Sequence, residues 1–222
     1  MAAQEIHQFA ECITCHAWSP DHSMIAFCPN NTEVHIYKFI ADKWEKLHVL
    51  SKHDQIVSGI DWGRSTNKIV TVSHDRNSYV WTQEGQDWVP TLVILKLNRA
   101  ALCVQWSPKE NKFAVGSGAK SVCICYYEQE NNWWISKVIR KKHESSVTSL
   151  AWHPNNLYGQ SRQGSSDTVE PSKPRGGAHE NCITCIVPLR KGSESIVKRF
   201  STSGLDGKIV VWDLENHVTI TQ

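Results

Sequence analysis

Apolar positions along this chain alternate with polar ones over short stretches, and no long segment keeps the 3.6-residue spacing of an amphipathic helix. Three runs, Met24–Cys28, Lys68–Val72 and Lys112–Gly116, are short and rich in β-branched and aromatic residues. Each is followed, after a turn, by a second run: Val34–Tyr37, Ser78–Trp81 and Val122–Tyr126. Less regular outer runs come next, Trp44–Leu50, Trp88–Leu95 and Trp133–Ile139, each opening on a tryptophan. Asn, Gly, Ser and Asp punctuate the gaps. The pattern predicts an all-β protein of short antiparallel strands.

The runs repeat. Trp18, Trp62, Trp106 and Trp152 stand 44, 44 and 46 residues apart, within the roughly 40–45-residue period of a propeller blade. Three residues before each tryptophan the side chain is small: Cys15, Gly59, Cys103 and Ser149. A small residue at that place suits an inner strand crowded by its neighbours. His16 falls at a position read as core.

Near the end of the chain the sequence runs Ser203-Gly-Leu-Asp206-Gly-Lys-Ile-Val-Val-Trp212-Asp213. Here the Trp-Asp pair of a WD repeat is complete. Asp206 precedes Trp212 by six residues, as Asp75 precedes Trp81, and His179 and His53 stand ahead of the two blades. WD repeats join such a His, a hydroxyl, the turn Asp and the Trp in one hydrogen-bonded network. The expected members are His53, Ser73 or Thr71, Asp75 and Trp81, with His179, Asp206 and Trp212 in the last blade. Asp accepts from His and the turn amides, and Trp shields the group from water. Asn31 and Ala119 occupy the Asp place in blades one and three, so those networks are incomplete.

Several ordered runs are more specific than a WD repeat. They include Ile13-Thr-Cys-His-Ala-Trp18, Pro29-Asn-Asn-Thr-Glu-Val-His-Ile-Tyr-Lys38, Asp75-Arg-Asn-Ser-Tyr-Val-Trp81, Asn111-Lys-Phe-Ala-Val-Gly-Ser-Gly-Ala119 and Trp152-His-Pro-Asn-Asn156. In these runs the chain resembles the WD-repeat subunit of the actin-related protein 2/3 complex, the subunit 1 family, over residues 7 to 156 and again from His179. The resemblance implies a seven-bladed WD-repeat β-propeller without catalysis or cofactor. It would hold small helical subunits against the actin-related ones and help dock the complex on an actin filament, in the cytoplasm and cytoskeleton.

The chain departs from that pattern in length. Seven blades need roughly 300 residues, and this chain has 222. About four blades' worth of sequence is present, so the propeller is expected to be incomplete. Residues 1–156 hold blades one to three and the start of a fourth, at Val147–Trp152. Residues 157–178, rich in Gly, Ser, Pro and charge, read as a flexible linker. Residues 179–222 hold a terminal blade. About three blades, with the long family insertion thought to face actin, are then absent after Asn156. Ring closure would fall to Glu5–Phe9 pairing beside Lys208–Leu214.

Charge and chemistry narrow the functions further. Lys plus Arg number 24 and Asp plus Glu 22, a balance giving no drive toward nucleic acid. The basic run Lys137–Lys142 reads as a solvated face. No apolar stretch is long enough for membrane insertion, and no signal peptide is visible. The default compartment is therefore reducing, and the 8 cysteines are expected as free thiols. Cys12-Ile-Thr-Cys15 and Cys182-Ile-Thr-Cys185 have zinc-like spacing. Read as parts of inner strands, however, they would point to opposite faces, so no metal is expected. No P-loop or nucleophile elbow is present. The leading expectation is a binding scaffold of the actin-nucleating complex. The alternative is a WD adaptor of another assembly, such as a ubiquitin ligase substrate receptor. Arg76, Arg99 and Lys120, beside blade turns, are the candidate partner contacts.

Overall fold

A computed structural model describes residues 6–140, 143, 145–152, 183–189, 199–204, 207–213 and 219–221. All regular structure among them is β, arranged in four-stranded antiparallel sheets, the architecture of an incomplete WD β-propeller. The chain divides into two compact units, Met1–Val147 and Thr148–Gln222.

The first unit holds three blades. Blade one is β1 (Cys15–Trp18), β2 (Met24–Cys28), β3 (Glu33–Ile40) and β4 (Lys43–Ser51). Blade two is β5 (Val57–Trp62), β6 (Ile69–Ser73), β7 (Asn77–Glu84) and β8 (Asp87–Ile94). Blade three is β9 (Ala101–Trp106), β10 (Lys112–Ser117), β11 (Ser121–Glu128) and β12 (Trp133–Ile139). Each sheet is a meander in sequence order, as short turns between antiparallel strands require.

The second strands, β2, β6 and β10, are buried almost throughout. β6 is packed between blades one and three, and β2 and β10 each pack toward blade two, which explains their continuous apolar runs. One cluster joins blades one and two through Cys28, Ile36, Leu50, Val57, Trp62 and Ile69. Another joins blades two and three through Val72, Val93, Leu95, Trp106, Phe113 and Val115. Full burial of each such side chain contributes about 1.5–3 kcal/mol. Hydroxyls repeat the linkage: Thr14 Oγ1 donates to the Val57 carbonyl and Ser58 Oγ to the Ala101 carbonyl, both at 2.7 Å.

Tryptophans lock each blade at the end away from these bonds. The inner-strand Trp meets an outer-strand Trp in all three: Trp18 with Trp44 at 5.8 Å, Trp62 with Trp88 at 5.6 Å and Trp106 with Trp134 at 5.8 Å between ring centroids. In blade three the partner is Trp134 and not Trp133, which is 58% exposed.

Val147–Trp152, read as the start of a fourth blade, form no strand. Val147 instead packs on blade three, its N–H donating to the Ser117 carbonyl at 3.1 Å. His16 is exposed on β1 and so is not a core residue. As an alternate residue of its strand it faces away from the side that Cys15 and Ala17 pack.

The second unit contains one sheet, β13 (Ile183–Leu189), β14 (Arg199–Gly204), β15 (Ile209–Asp213) and β16 (Thr219–Thr221). Here ring closure departs from expectation. β15 lies between β14 and β16, with Val211 opposite Ile220, so the place expected for an N-terminal strand is held by the chain's own last strand. Ile6–Phe9 form no strand. Phe9 instead stacks among Phe27, Tyr37 and Trp44, at 5.2, 5.2 and 5.4 Å. These contacts hold the half-buried Phe9 ring on blade one through its large apolar area. Residues 157–178 and Cys182 lie outside the described residues.

Candidate functional site

Among the described residues, the loop end of blade two carries the most developed polar group. His53 lies in the segment entering the blade, Thr71 in β6, Asp75 in the β6–β7 turn and Trp81 in β7. His53 Nδ1 and Asp75 Oδ2 are 2.7 Å apart, and His53 Nε2 and Thr71 Oγ1 are 2.9 Å apart. The Trp81 indole N–H donates to the same Thr71 Oγ1 at 3.0 Å. A carboxylate only accepts, so Nδ1 carries the proton. In the neutral ring the Thr71 hydroxyl then donates to Nε2 while accepting from Trp81. Every polar atom of the relay is thereby satisfied in a buried place.

Asp75 anchors the relay to the turn. It accepts the amides of Asn77 at 2.9 Å and Asp54 at 3.1 Å. Desolvation raises its pKa, but the bonds from His53 and these amides prevail and hold it below the usual carboxylate range. The Tyr79 ring meets His53 edge-on at 4.9 Å.

Ser73 is not part of the relay. Its hydroxyl donates to the Gln55 carbonyl at 2.8 Å and accepts the Asp75 amide at 3.1 Å. Thr71 takes the relay place because it lies opposite Tyr79, inside the ladder, whereas Ser73 is the last residue of β6. Arg76, Arg99 and Lys120 are all exposed and in or beside turns. Arg76 and Lys120 hold the left-handed backbone, with φ of 72° and 57°. Of the last blade, His179 and Asp206 lie outside the described residues, and Trp212 is placed on β15 with its side chain undescribed.

The cysteines are arranged differently from the strand reading. β1 begins at Cys15, so Cys12 precedes the strand and is exposed. Strand alternation therefore does not set its direction. All seven described cysteines are free thiols. Burial pushes Cys15 up to about 12 and Cys103 up to about 11.

Comparison with known proteins agrees with this architecture. The WD domain, G-beta repeat family matches residues 44–82 and 136–158. The first match runs from the outer strand of blade one through the third strand of blade two and so contains the relay. Actin-related protein 2/3 complex subunit 1B of Arabidopsis thaliana is 44% identical over 370 aligned positions, covering 97% of this chain and 98% of that protein. Subunit 1A of the same plant is 80% identical over 158 residues, 71% of this chain and 42% of that protein. Subunit 1A-B of Xenopus laevis is 56% identical over 153 residues, 68% of this chain and 41% of that protein. Against these last two the chain spans about two fifths of the relative's length. The 370-position alignment far exceeds the 222 residues of the chain, so it opens gaps with room for roughly three to four blades of 40–45 residues. With a relative 44% identical along almost its whole length, the chain belongs to the actin-related protein 2/3 complex subunit 1 family of WD-repeat proteins.

Proposed function

We propose that this chain is a non-catalytic scaffold subunit of an actin-related protein 2/3 complex, at the cytoplasmic actin cytoskeleton, supporting nucleation of branched filaments. Its partners are the other subunits and, through them, the actin filament. The supporting observation is its similarity to named subunits of that complex, at up to 80% identity over 158 residues, on three interlocked blades. A rigid sheet stack with its loops at two ends presents contacts from several blades at once. Residues 157–178 would then bridge the place where longer relatives carry about three more blades.

Arg76 and Arg99, exposed at the turns of blades two and three, are the residues assigned to subunit contact, and charge reversal at both should weaken assembly. Lys120, the third candidate contact, also lines a pocket.

The test is to tag the 222-residue chain in its own cells and identify what co-purifies. Recovery of the actin-related subunits is expected. Recovery of chaperones alone, or of a different assembly, would overturn the reading.

A further inference from the structure

Blades two and three superimpose in sequence at a shift of 44 residues, and the shift turns a filled polar site into a pocket. His53, Asp54, Thr71, Asp75 and Trp81 correspond to Leu97, Asn98, Val115, Ala119 and Cys125. The strand registers agree: Thr71 lies opposite Ile60 as Val115 lies opposite Val104. Blade three therefore has none of the relay. The loss is not symmetric in charge. At the loop end of blade two the carboxylates Asp54 and Asp75 become neutral, while the cations Lys52 and Arg76 are kept as Lys96 and Lys120.

The result is a concavity of about 430 Å³, within the range of small-ligand sites. Leu97 and Ala119, replacing His and Asp, line its floor, and Lys96, Lys120, Arg140 and His143 line it from three different loops. Among the described residues, no carboxylate lines it. Lys96, like Lys120, holds the left-handed backbone, with φ of 54°. The described ion pairs involve none of these cations. Arg140 thus belongs to a concave site and not simply to a solvated charged face.

From this juxtaposition we infer that the loop end of blade three binds a compact ligand carrying two or more phosphates, of the inositol-phosphate kind, which supplies the negative charge that Asp54 and Asp75 supply in blade two. Each phosphate ester carries about −1.5 to −2 charges at neutral pH and several strong acceptors. Three converging cations therefore match two phosphates better than one. Arg140 offers a bidentate fork, while the lysines act as point charges. An open concavity with cations from three loops converging on it suits a compact headgroup better than an extended chain. The same chemistry occurs on a free molecule and on a lipid.

The experiment uses the full chain. Soluble inositol hexakisphosphate is titrated calorimetrically, and vesicles of phosphatidylcholine with and without phosphatidylinositol bisphosphate are sedimented with the protein. Binding of the soluble probe assigns a free ligand, and binding only to the phosphorylated vesicles assigns a lipid headgroup. Ala119→Asp restores blade two's carboxylate and should weaken whichever binding is seen about tenfold or more, as should Lys120→Glu. Lys109→Glu, in the β9–β10 turn at the other end of the sheet, should leave it unchanged. Tryptophan near-ultraviolet dichroism verifies that each variant is folded, and Lys120→Glu serves if Ala119→Asp is not. Absence of binding to both probes would overturn the inference. So would equal loss in Lys109→Glu, or equal displacement by a glutamate peptide of the same charge, since either reduces the pocket to general basicity.

Discussion

Asp61 of blade two accepts the backbone N–H of Trp106 in blade three at 2.6 Å. Its other oxygen accepts the Trp62 amide at 3.0 Å. Glu110 of blade three reaches back, accepting the amides of Ser65 and Thr66 at 2.9 and 2.7 Å and the Thr66 hydroxyl at 2.7 Å. Two carboxylates thus cross the same boundary in opposite directions, at the end of the sheets where Trp62 and Trp106 sit. Glu110→Ala removes three bonds at a partly exposed site and should cost about 1–3 kcal/mol. Asp61→Ala strands two amides and should cost at least as much. Denaturant midpoints of the two variants check this, and a neutral Glu110→Ala would mean that solvent already satisfies those amides.

The same boundary gives a pH dependence of opposite sign to that of the relay. Burial raises Asp61 to about 6, against the pull of the Trp106 and Trp62 amides. Between about pH 4, the ordinary aspartate value, and pH 6 the folded chain holds a proton that the unfolded chain has released. The stability linked to Asp61 is therefore full below about pH 4 and lost as pH rises through 6. Asp75, held low, contributes stability above about pH 4 that is lost as pH falls through its folded value. Asp61→Asn should consequently gain on the parent by about 2–3 kcal/mol as pH rises from 4 to 7. Chemical denaturation at each pH reads it, and two curves running parallel would reject the assignment.

Thr71 and Ser73 make a direct comparison. Thr71→Val keeps the shape but leaves the Trp81 indole N–H and His53 Nε2 without their shared partner, at a cost of about 1–3 kcal/mol per stranded group. Ser73→Ala loses one donor bond and one acceptor bond at the strand end and should cost less. Thermal melts of both variants decide it. A larger loss in Ser73→Ala would move the centre of the network to the turn.

These two residues also mark where reading a sequence stops. Spacing located His53, Asp75 and Trp81, because a repeat fixes positions along the chain. It left Thr71 and Ser73 open, because residues two apart on a strand share a face and only the ladder shows which lies deeper. The inner tryptophans were legible for the same reason as the repeat. Their contacts with Trp44, Trp88 and Trp134 were not, because Trp133 and Trp134 are adjacent and only strand direction chooses between them. The edge-strand reading of the N-terminus failed differently. Phe9 looked like part of an edge strand, and nothing local revealed that Phe27, Tyr37 and Trp44 offer it an aromatic surface. Asp61 and Glu110 gave no signal, since a carboxylate bound to backbone amides imposes no pattern on its partners' side chains.

The small position of the inner strand is decided by sign. A β-carbon at Gly59 would stand 2.9 Å from Val72 Cγ2, 3.1 Å from the Val104 nitrogen and 3.2 Å from Cys103 Cα. Two of these atoms are backbone of blade three and cannot rotate aside. If glycine served there only for local freedom, Gly59→Ala would stabilise the protein by about 0.4–1 kcal/mol through a less disordered unfolded chain. Close blade packing reverses that, and the overpacked boundary should cost about 1–3 kcal/mol. The loss should appear as a lower denaturation midpoint, with a change in fluorescence from Trp106 across the boundary. A raised midpoint would mean that the blades have room to part, and that the recurrent small residue is not set by how closely they approach.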